Sequence, residues 1–286
     1  MVFWNALLYD TPCTKKRIPS PTGSSAECAG DLEEIKTFLH AHFRMHPDVI
    51  IDIPLDACDD TILMIRDRTR LVGCIRYHHV GYYENKPIHV VDWFCVHPEW
   101  RGKGVGDYLL HELHHMMDRR PCAIFVKEGN PLSILPYYES AYVYRMVERT
   151  ITPNVRALPL QLAYRLMDTY QTFRPCFMIR KESSNQEWKF YRNGIHHILA
   201  CVQDTYQTLY GKRMGWITAW IESPGITDTM RGDASYQISN HASYDLIWMD
   251  KNHIGSAVWI YDGPFYWYTY QWTPSITVGR SYCFIQ

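Results

Sequence analysis

The amino-acid sequence predicts an α/β (α+β) protein of two halves, each built on a mostly antiparallel sheet flanked by helices. Its 286 residues are enough for two ordinary domains. In both halves, short apolar runs bounded by turn residues alternate with segments of helical spacing. We place the boundary in the helical stretch between Pro153 and Pro175, which gives domains of residues 1–165 and 166–286.

The first half begins with a helix that the sequence predicts from Asp31 to Phe43. Asp31 is a good N-cap residue, and Glu33 and Glu34 favour the positive end of a helix dipole. The other elements of this half are, in order, strands at 62–66, 71–77 and 89–96, a helix at 105–118, a strand at 123–126, a short helix at 132–140 and a strand at 142–150.

The second half is predicted to follow a helix at 158–169 that lies at the boundary. The elements expected after it are a strand at 176–180, a long helix at 186–209, and strands at 215–221, 244–249, 257–261, 265–272 and 280–285. Segments 223–225 and 231–233 are predicted loop tips. The aromatic run in 265–272 is interpreted as strand core or the wall of an apolar ligand channel, because no basic residue interrupts it.

The composition argues against several classes of protein. A net charge of −1 implies no general affinity for nucleic acid or anionic membranes. No run of 18 or more apolar residues occurs, so no transmembrane segment is predicted, and the start of the chain lacks the features of a signal peptide. Nine cysteines without a Cys-x-x-Cys pair favour reduced, buried thiols in the cytoplasm. The spacing in 111–115 does not fit a zinc helix, so we predict no metal.

The segment 91–106 carries the most specific chemistry. It is predicted to be an apolar strand, a turn, and an Arg-x-x-Gly-x-Gly loop that opens a helix. This order of elements suits a pyrophosphate, because glycines let backbone N–H groups approach the phosphates and the helix N-terminus attracts negative charge. Arg101 and Lys103 add positive charge. The segment is neither a Walker loop nor a dinucleotide fingerprint. The simpler alternative is a basic, glycine-containing loop before an ordinary helix.

The same segment resembles the acyl-CoA site of the Gcn5-related N-acyltransferases, and within them the N-myristoyltransferases. Residues 94–97, followed by Arg101-x-Lys103, are similar to the strand and loop signature of that family. Residues 262–272 are similar to its aromatic C-terminal strand. Shorter similarities lie, in the family's order, at 3–5, at 71–73 and at Tyr142-x-x-Arg145.

The resemblance implies two Gcn5-related N-acyltransferase-like halves and an enzyme that transfers a myristoyl or other long acyl group from acyl-CoA to the N-terminal glycine amine of a peptide or protein. The first half would bind myristoyl-CoA, and the second would contribute the peptide groove. The cofactor-binding residues that it implies are Phe3, Trp4, Cys95, Val96, Arg101, Gly102, Lys103, Gly104, Val105 and Gly106. The implied substrate-binding residues are Tyr142, Tyr144, Lys127, Gly129 and Tyr268.

The resemblance also implies the catalytic groups. The backbone N–H groups of Trp93 and Phe94 would stabilise the oxyanion, which requires a bulge that frees them from the sheet. The terminal α-carboxylate of Gln286 would be the general base, and Asp92 would either assist it or be an ordinary paired carboxylate at a strand end. Tyr138 resembles the tyrosine general acid of acetyltransferases, or it is a packing residue.

Four departures from the family pattern leave two alternatives open. The segment 43–48 lacks the family's acidic run, 126–129 replaces its Tyr-Thr-Ala-Gly loop, Asp92 replaces an asparagine, and Gly104 replaces a basic phosphate ligand. One alternative is a small-acyl N-acetyltransferase, which the glycines of the loop favour. The other is a non-catalytic acyl-CoA-binding protein that kept the fold, which Lys127 and the missing acidic run favour.

Overall fold

Four helices and fifteen strands make up the part of the chain that the structure, a computed structural model, describes: residues 19–43, 49–51, 61–116, 122–131, 136–173, 176–179, 185–254, 259–270, 275 and 281–284. The helices are α1 (Leu32–His42), α2 (Val105–Met116), α3 (Leu160–Phe173) and α4 (Asp228–His241). The strands of the first half are β1 (Glu27–Cys28), β2 (Val49–Ile51), β3 (Thr61–Asp67), β4 (Arg70–Tyr83), β5 (Lys86–Val96), β6 (Ala123–Glu128), β7 (Tyr138–Met146) and β8 (Val155–Leu158). Those of the second half are β9 (Phe177–Ile179), β10 (Gln186–Asn193), β11 (His196–Leu209), β12 (Lys212–Glu222), β13 (Leu246–Asp250), β14 (Ile260–Tyr270) and β15 (Tyr282–Phe284).

One sheet runs through both halves, in the order β1-β3-β4-β5-β6-β14-β7-β13-β12-β11-β10-β8. Its pairs are mostly antiparallel, and the parallel ones are β5 with β6, β12 with β13 and β9 with β15. The second half inserts β14 between two strands of the first, β6 and β7. The predicted α+β class is confirmed. The predicted boundary between residues 165 and 166 lies inside α3.

The predicted first helix and the strands that follow it are found nearly as expected. Asp31 caps α1, its carboxylate accepting hydrogen bonds from the backbone N–H groups of Glu33 and Glu34. Helix α2 packs one face onto the first half of the sheet through Val105, Leu109 and other buried side chains. This contact fixes the start of α2 beside β5.

The predicted helix at 186–209 is wrong, because the segment forms the hairpin of β10 and β11. Asn193 pairs with His196 across a two-residue loop in which Gly194 has a φ of 61°. The residues 198–202 of β11 are all fully buried, since this strand is covered on both faces. A continuous apolar run of that kind looks the same in a buried helix and in a central strand.

Three other predictions need correction. The segment 231–233 is not a loop tip but lies in α4, which Thr227 caps. The predicted helix at 132–140 is wrong where it is described, because residues 138–140 begin β7; residues 132–135 lie outside the described part. The two strands predicted at 257–261 and 265–272 are one strand, β14.

Helix α4 was missed because it is polar, and one of its buried residues, Arg231, forms a buried ion pair. Arg231 is only 3% exposed and contacts Glu222, which is 9% exposed, through bonds of 2.6 and 2.9 Å. The indole N–H of Trp220 donates a further bond of 2.8 Å to the same carboxylate. Buried charge is tolerated here because the carboxylate and the guanidinium satisfy each other.

Three further observations concern the described residues. Cys28 is exposed, whereas the six other cysteines of the described part are buried, and all seven are free thiols. None of the described His, Cys, Asp and Glu residues form a group of three that could hold a metal ion. No helix in the described part has the length and apolar character needed to span a membrane.

Removing Glu222 is expected to destabilise the protein strongly. Glu222→Ala leaves Arg231 charged and buried, which costs about 3–5 kcal/mol of unfolding free energy. Asp228 also contacts Arg231 but is 85% exposed, so Asp228→Asn should cost less than about 1 kcal/mol. Urea denaturation of both variants measures the difference. Equal losses of unfolding free energy in the two variants would show that the buried Arg231–Glu222 pair stabilises the protein no more than the exposed Arg231–Asp228 pair.

Candidate active site

The carboxyl ends of β5 and β6 separate and form a cleft. The two strands are parallel neighbours over only three residue pairs, from His89 with Ala123 to Val91 with Phe125. Beyond this point β5 remains paired with β4, and β6 remains paired with β14. Each strand therefore continues on its outer neighbour while the inner edges diverge.

A β-bulge lies on β5 just beyond the point of separation. Cys74 of β4 pairs with Cys95 and Arg76 pairs with Asp92, so that one residue of β4 faces two of β5, Trp93 and Phe94. A bulge interrupts the regular ladder at these two residues. The bulge that the predicted oxyanion site requires is therefore present at the predicted residues.

The bulge is strained and is held by its neighbours. Trp93 has a φ of 47°, a left-handed conformation that costs a residue other than glycine about 1–3 kcal/mol. The guanidinium of Arg76 lies 3.7 Å from the centre of the Trp93 ring. The thiol of Cys74 donates a 3.3 Å hydrogen bond to the Trp93 carbonyl. Strain of this kind persists only where the surroundings impose it, and it is concentrated at functional sites.

Asp92 is engaged by Arg76. The Nε and Nη2 atoms of Arg76 each donate a 2.6 Å bond to one oxygen of the Asp92 carboxylate. The same guanidinium stacks on Trp93, so Arg76 joins the carboxylate and the bulge. This geometry favours the interpretation of Asp92 as a paired carboxylate over that of an assisting base. Sequence reasoning missed Arg76, because its position opposite Asp92 follows only from the register.

The glycine loop leads from β5 into α2 as expected. Gly102 and Gly104 have φ values of 75° and 83°, a conformation that glycine adopts without steric cost. Gly106 lies in the first turn of α2, where a Cβ would be only 3.0 Å from Cζ of Phe94. Glycine at this position thus lets the helix N-terminus approach the bulge closely.

Two exposed cations flank this helix N-terminus. Arg101 donates hydrogen bonds to the carbonyl oxygens of Val96, at 3.1 Å, and His42, at 3.3 Å. The ammonium of Lys103 lies 5.0 Å from the centre of the Trp100 ring. The N-terminal amides of a helix have no partner within it and bind anions well. The loop is therefore suited to phosphate groups.

Glu128, at the end of β6, was not singled out from the sequence. Its side chain is partly buried, and burial, followed by the nearby charge of Asp262, raises the pKa of its carboxyl to about 7. Lys127 acts in the opposite direction, but its ammonium is bound to the carbonyl oxygens of Glu128 and Asn130. The signal for Glu128 lies in its surroundings in space and not in any local motif.

A pocket lies on the face of the sheet turned away from α2, between elements of both halves; its empty space, including the part open to solvent, is about 420 Å³. Its lining includes Tyr142 and the hydroxyl of Tyr138, which donates a 2.9 Å bond to Asp250. Burial raises the pKa values of Tyr138 and Asp250. The other aromatic side chains that line it are Tyr137, Phe177, Trp267 and Tyr282.

The sheet order places Tyr138 far from the bulge. Tyr138 pairs with Trp267 of β14, and Trp267 pairs with Val126 of β6. Tyr138 is thus three strands away from β5, which corresponds to about 14 Å at the usual strand spacing. This distance favours the packing interpretation of Tyr138 over that of a general acid at the thioester.

The other predicted site residues are distributed around the sheet. Tyr144 packs beside a small apolar cluster near Leu246. Tyr268 is buried on the α2 face of the sheet. Gly129 has a φ of 77° and bonds to the Pro264 carbonyl at 3.1 Å. Phe3, Trp4, Gln286 and residues 44–48 lie outside the described residues.

Comparison with known proteins supports the resemblance. Residues 58–141 match the family model of the acetyltransferase (GNAT) domain. A crystal structure of Saccharomyces cerevisiae N-myristoyltransferase with bound myristoyl-CoA and inhibitors has a TM-score of 0.64 at 13% identity, covering 97% of this chain and 90% of that chain. Two further crystal structures of this yeast protein with bound myristoyl-CoA have TM-scores of 0.57 and 0.55 at 12% and 11% identity, covering 95% and 97% of this chain and 88% and 91% of theirs.

No curated protein sequence matches the chain. At identities this low, the solved structures show the fold: the chain has the GNAT acyltransferase fold in the form found in N-myristoyltransferase. The predicted fold is thereby confirmed.

Enlarging Gly106 is expected to separate α2 from the bulge. In Gly106→Val the added methyl groups overlap Phe94, so we expect a loss of about 1–3 kcal/mol of unfolding free energy from overpacking and weaker acyl-CoA binding. Gly30→Val is the matched control, because no atom lies within 4 Å of a Cβ at Gly30. Urea denaturation and calorimetric titration with acyl-CoA test this. Equal behaviour of the two variants would contradict the packing argument.

Proposed function

We propose that this protein is an N-acyltransferase that moves a myristoyl or other long acyl group from acyl-CoA to the N-terminal glycine amine of a peptide or protein. The observation that carries the proposal is the bulge at Trp93 and Phe94, placed where β5 and β6 diverge and directly beside the start of α2. A thioester needs these three elements together: an opening for the pantetheine arm, donors for its carbonyl oxygen, and a site for its phosphates.

The amides of the bulge would stabilise the tetrahedral intermediate. The amine nitrogen attacks the thioester carbonyl carbon, and negative charge develops on the carbonyl oxygen. Backbone N–H groups fixed before the reaction need no reorganisation as that charge appears, and one such donor contributes about 10²–10³ in rate. The strain at Trp93 supports this role, since an ordinary strand would not require it.

The loop and helix would hold the CoA. Its pyrophosphate fits the N-terminal amides of α2, and Arg101 and Lys103 are both exposed next to them. The side chains of Cys95 and Val96 lie on β5 between the bulge and the loop. The pantetheine arm would therefore run along β5 towards the bulge.

The acceptor would enter from the opposite face of the sheet, between the halves. Tyr142 lines the pocket on that face, and Tyr144 follows two residues later on the same face of β7. The thiols buried in the described part favour a reducing compartment, in agreement with a cytoplasmic enzyme.

A small-acyl N-acetyltransferase is the second candidate. The observation that favours it is the match of residues 58–141 to an acetyltransferase domain, together with glycine at positions 104 and 106. In favour of the long acyl group is the likeness of nearly the whole chain to structures that hold myristoyl-CoA.

Turnover across a series of acyl chains distinguishes the two candidates. Acetyl-, octanoyl- and myristoyl-CoA are compared with a peptide that begins with glycine, and the acylated peptide is measured by mass spectrometry. We expect kcat/KM to increase with chain length, because each buried methylene contributes about 0.8 kcal/mol. A control peptide whose N-terminal glycine is already acetylated should give no product, because its amine is blocked. A preference for acetyl-CoA would establish the second candidate.

Removal of the two loop cations is expected to weaken acyl-CoA binding. Arg101→Ala with Lys103→Ala should lower the affinity by roughly 10–100-fold, since charge-assisted bonds of about 1.5–3 kcal/mol each are reduced by solvent exposure. The matched control is Lys212→Ala with Lys251→Ala, which removes two exposed cations from the second half. Calorimetry at two salt concentrations measures both. An unchanged affinity in the loop variant would refute the phosphate assignment.

A further inference from the structure

Glu128 lies on the opposite wall of the cleft, one position beyond the level of the bulge. The parallel register of β5 and β6 advances residue for residue, and its last pair is Val91 with Phe125. Trp93 and Phe94 of the bulge occupy one position of the ladder, so three positions further along the two strands are Cys95 and Glu128. Glu128 still belongs to β6, where it pairs with Phe265 of β14. Glu128 is therefore on a regular strand, across the opening from the end of the bulge.

The side chain of Glu128 lies on the face of the sheet turned away from α2, where the proposed acceptor enters. Side chains alternate along a strand, and β6 keeps an unbroken register with β14. Phe125 packs in the cluster that contains α2. Ile124 lines the pocket between the halves, and Val126 packs against the core of that same face. Glu128 follows this second series.

The carboxylate of Glu128 is held without a partner of opposite charge. No hydrogen-bond donor among the described residues contacts it, and no described cation lies within ion-pair distance. The charged groups that face it are Asp262, from β14, and Lys127, from its own strand. Oε1 of Glu128 would be 3.6 Å from a Cβ placed at Gly263, so the neighbouring strand closes one side.

We propose that Glu128 is the catalytic base that takes the proton of the acceptor ammonium. This inference rests on the proposed function and names the group that completes it. The carboxylate of Glu128 accepts one proton from the ammonium and becomes a carboxylic acid. The neutral nitrogen attacks the thioester carbon, the C–N bond forms and the C–S bond breaks. The departing thiolate takes the second proton of the nitrogen, and Glu128 returns its own proton to water.

Two other carboxylates of the described part, Asp92 and Asp250, are less suited to this step. Asp92 is held by both bonds from Arg76. Asp250 accepts bonds from Tyr138 and from the amide of Asn252, on the far side of β14. Glu128 alone among these three has no donor that a proton would displace. Its carboxyl pKa of about 7 is close to that of an α-amine, about 7.7–8.0, which suits proton transfer between them.

The test is the pH dependence of kcat for Glu128→Gln at saturating acyl-CoA and peptide. In the wild type, kcat should fall as the pH decreases through about 7, since protonation of Glu128 removes the acceptor. In the variant, kcat at pH 7.5 should be lower by at least about 10². The remaining pH dependence should follow the amine itself, at about 7.7–8.0. Calorimetric affinity for acyl-CoA should be unchanged.

Two further variants make the result specific. Glu139→Gln removes an exposed carboxylate from the opposite face of the sheet, on β7, which β14 separates from β6; this change should leave kcat unchanged. Glu128→Asp keeps a carboxylate one methylene shorter, so it should be slower than the wild type yet retain the dependence near pH 7. If Glu128→Gln no longer binds acyl-CoA, the pH dependence of Glu128→Asp tests whether Glu128 is the base.

The experiment distinguishes a wrong assignment of Glu128 from a wrong proposed function. Wild-type kcat and pH dependence in both Glu128 variants would overturn the assignment while leaving the acyltransferase proposal intact. A wild-type protein that binds acyl-CoA without turning over any glycine peptide would overturn the proposed function and this assignment with it.

Discussion

The separation of β5 from β6 is the constraint on which the candidate site depends. Two parallel strands normally remain paired along their length, because each unpaired inner N–H or carbonyl group costs free energy if it is also shielded from water. Here pairing stops after Val91 and Phe125. The bulge at Trp93 and the contact of Gly106 with Phe94 lie immediately beyond this point. The cleft, the bulge and the start of α2 thus lie together at the point where β5 and β6 separate.

The insertion of β14 from the second half supports the separation. Once β6 leaves β5, its other edge must be well paired for the strand to stay in the sheet. β14 pairs with β6 from Ala123 to Glu128, which includes the residues that have lost β5. It pairs on its other edge with β7 of the first half. The second half therefore completes the sheet of the first, and the pocket between the halves is bounded by strands that neither half supplies alone.

Local features of the site were predictable from the sequence, and features that depend on register were not. Gly102 and Gly104, with Arg101 and Lys103, lie within a few residues of each other, so their pattern predicts the loop directly. The position of Arg76 opposite Asp92 and the position of Glu128 across the opening from the end of the bulge depend on strand pairing. No pattern along the chain contains that information.

The same distinction explains the errors in the fold. The strand β11 is apolar on both faces because it lies in the middle of the sheet, and periodicity cannot separate it from a buried helix. Asn193 and Gly194 gave the available signal for a hairpin. Helix α4 has few apolar residues because the Arg231–Glu222 ion pair takes the place of apolar packing, and only its cap at Thr227 marks it in the sequence.

Asp92 and Glu128 are carboxylates with different surroundings on opposite walls of the cleft. Both carboxylates lie near the ends of adjacent strands, and both are partly buried. Asp92 receives two short bonds from a guanidinium that also stacks on the strained Trp93, so its carboxylate helps to support the bulge. Glu128 faces another carboxylate, Asp262, and receives no such bonds, so a proton relieves its surroundings instead of disrupting them. The surroundings therefore hold the Asp92 carboxylate in fixed bonds beside the bulge and leave the Glu128 carboxylate without such bonds, as its proposed role as the base requires.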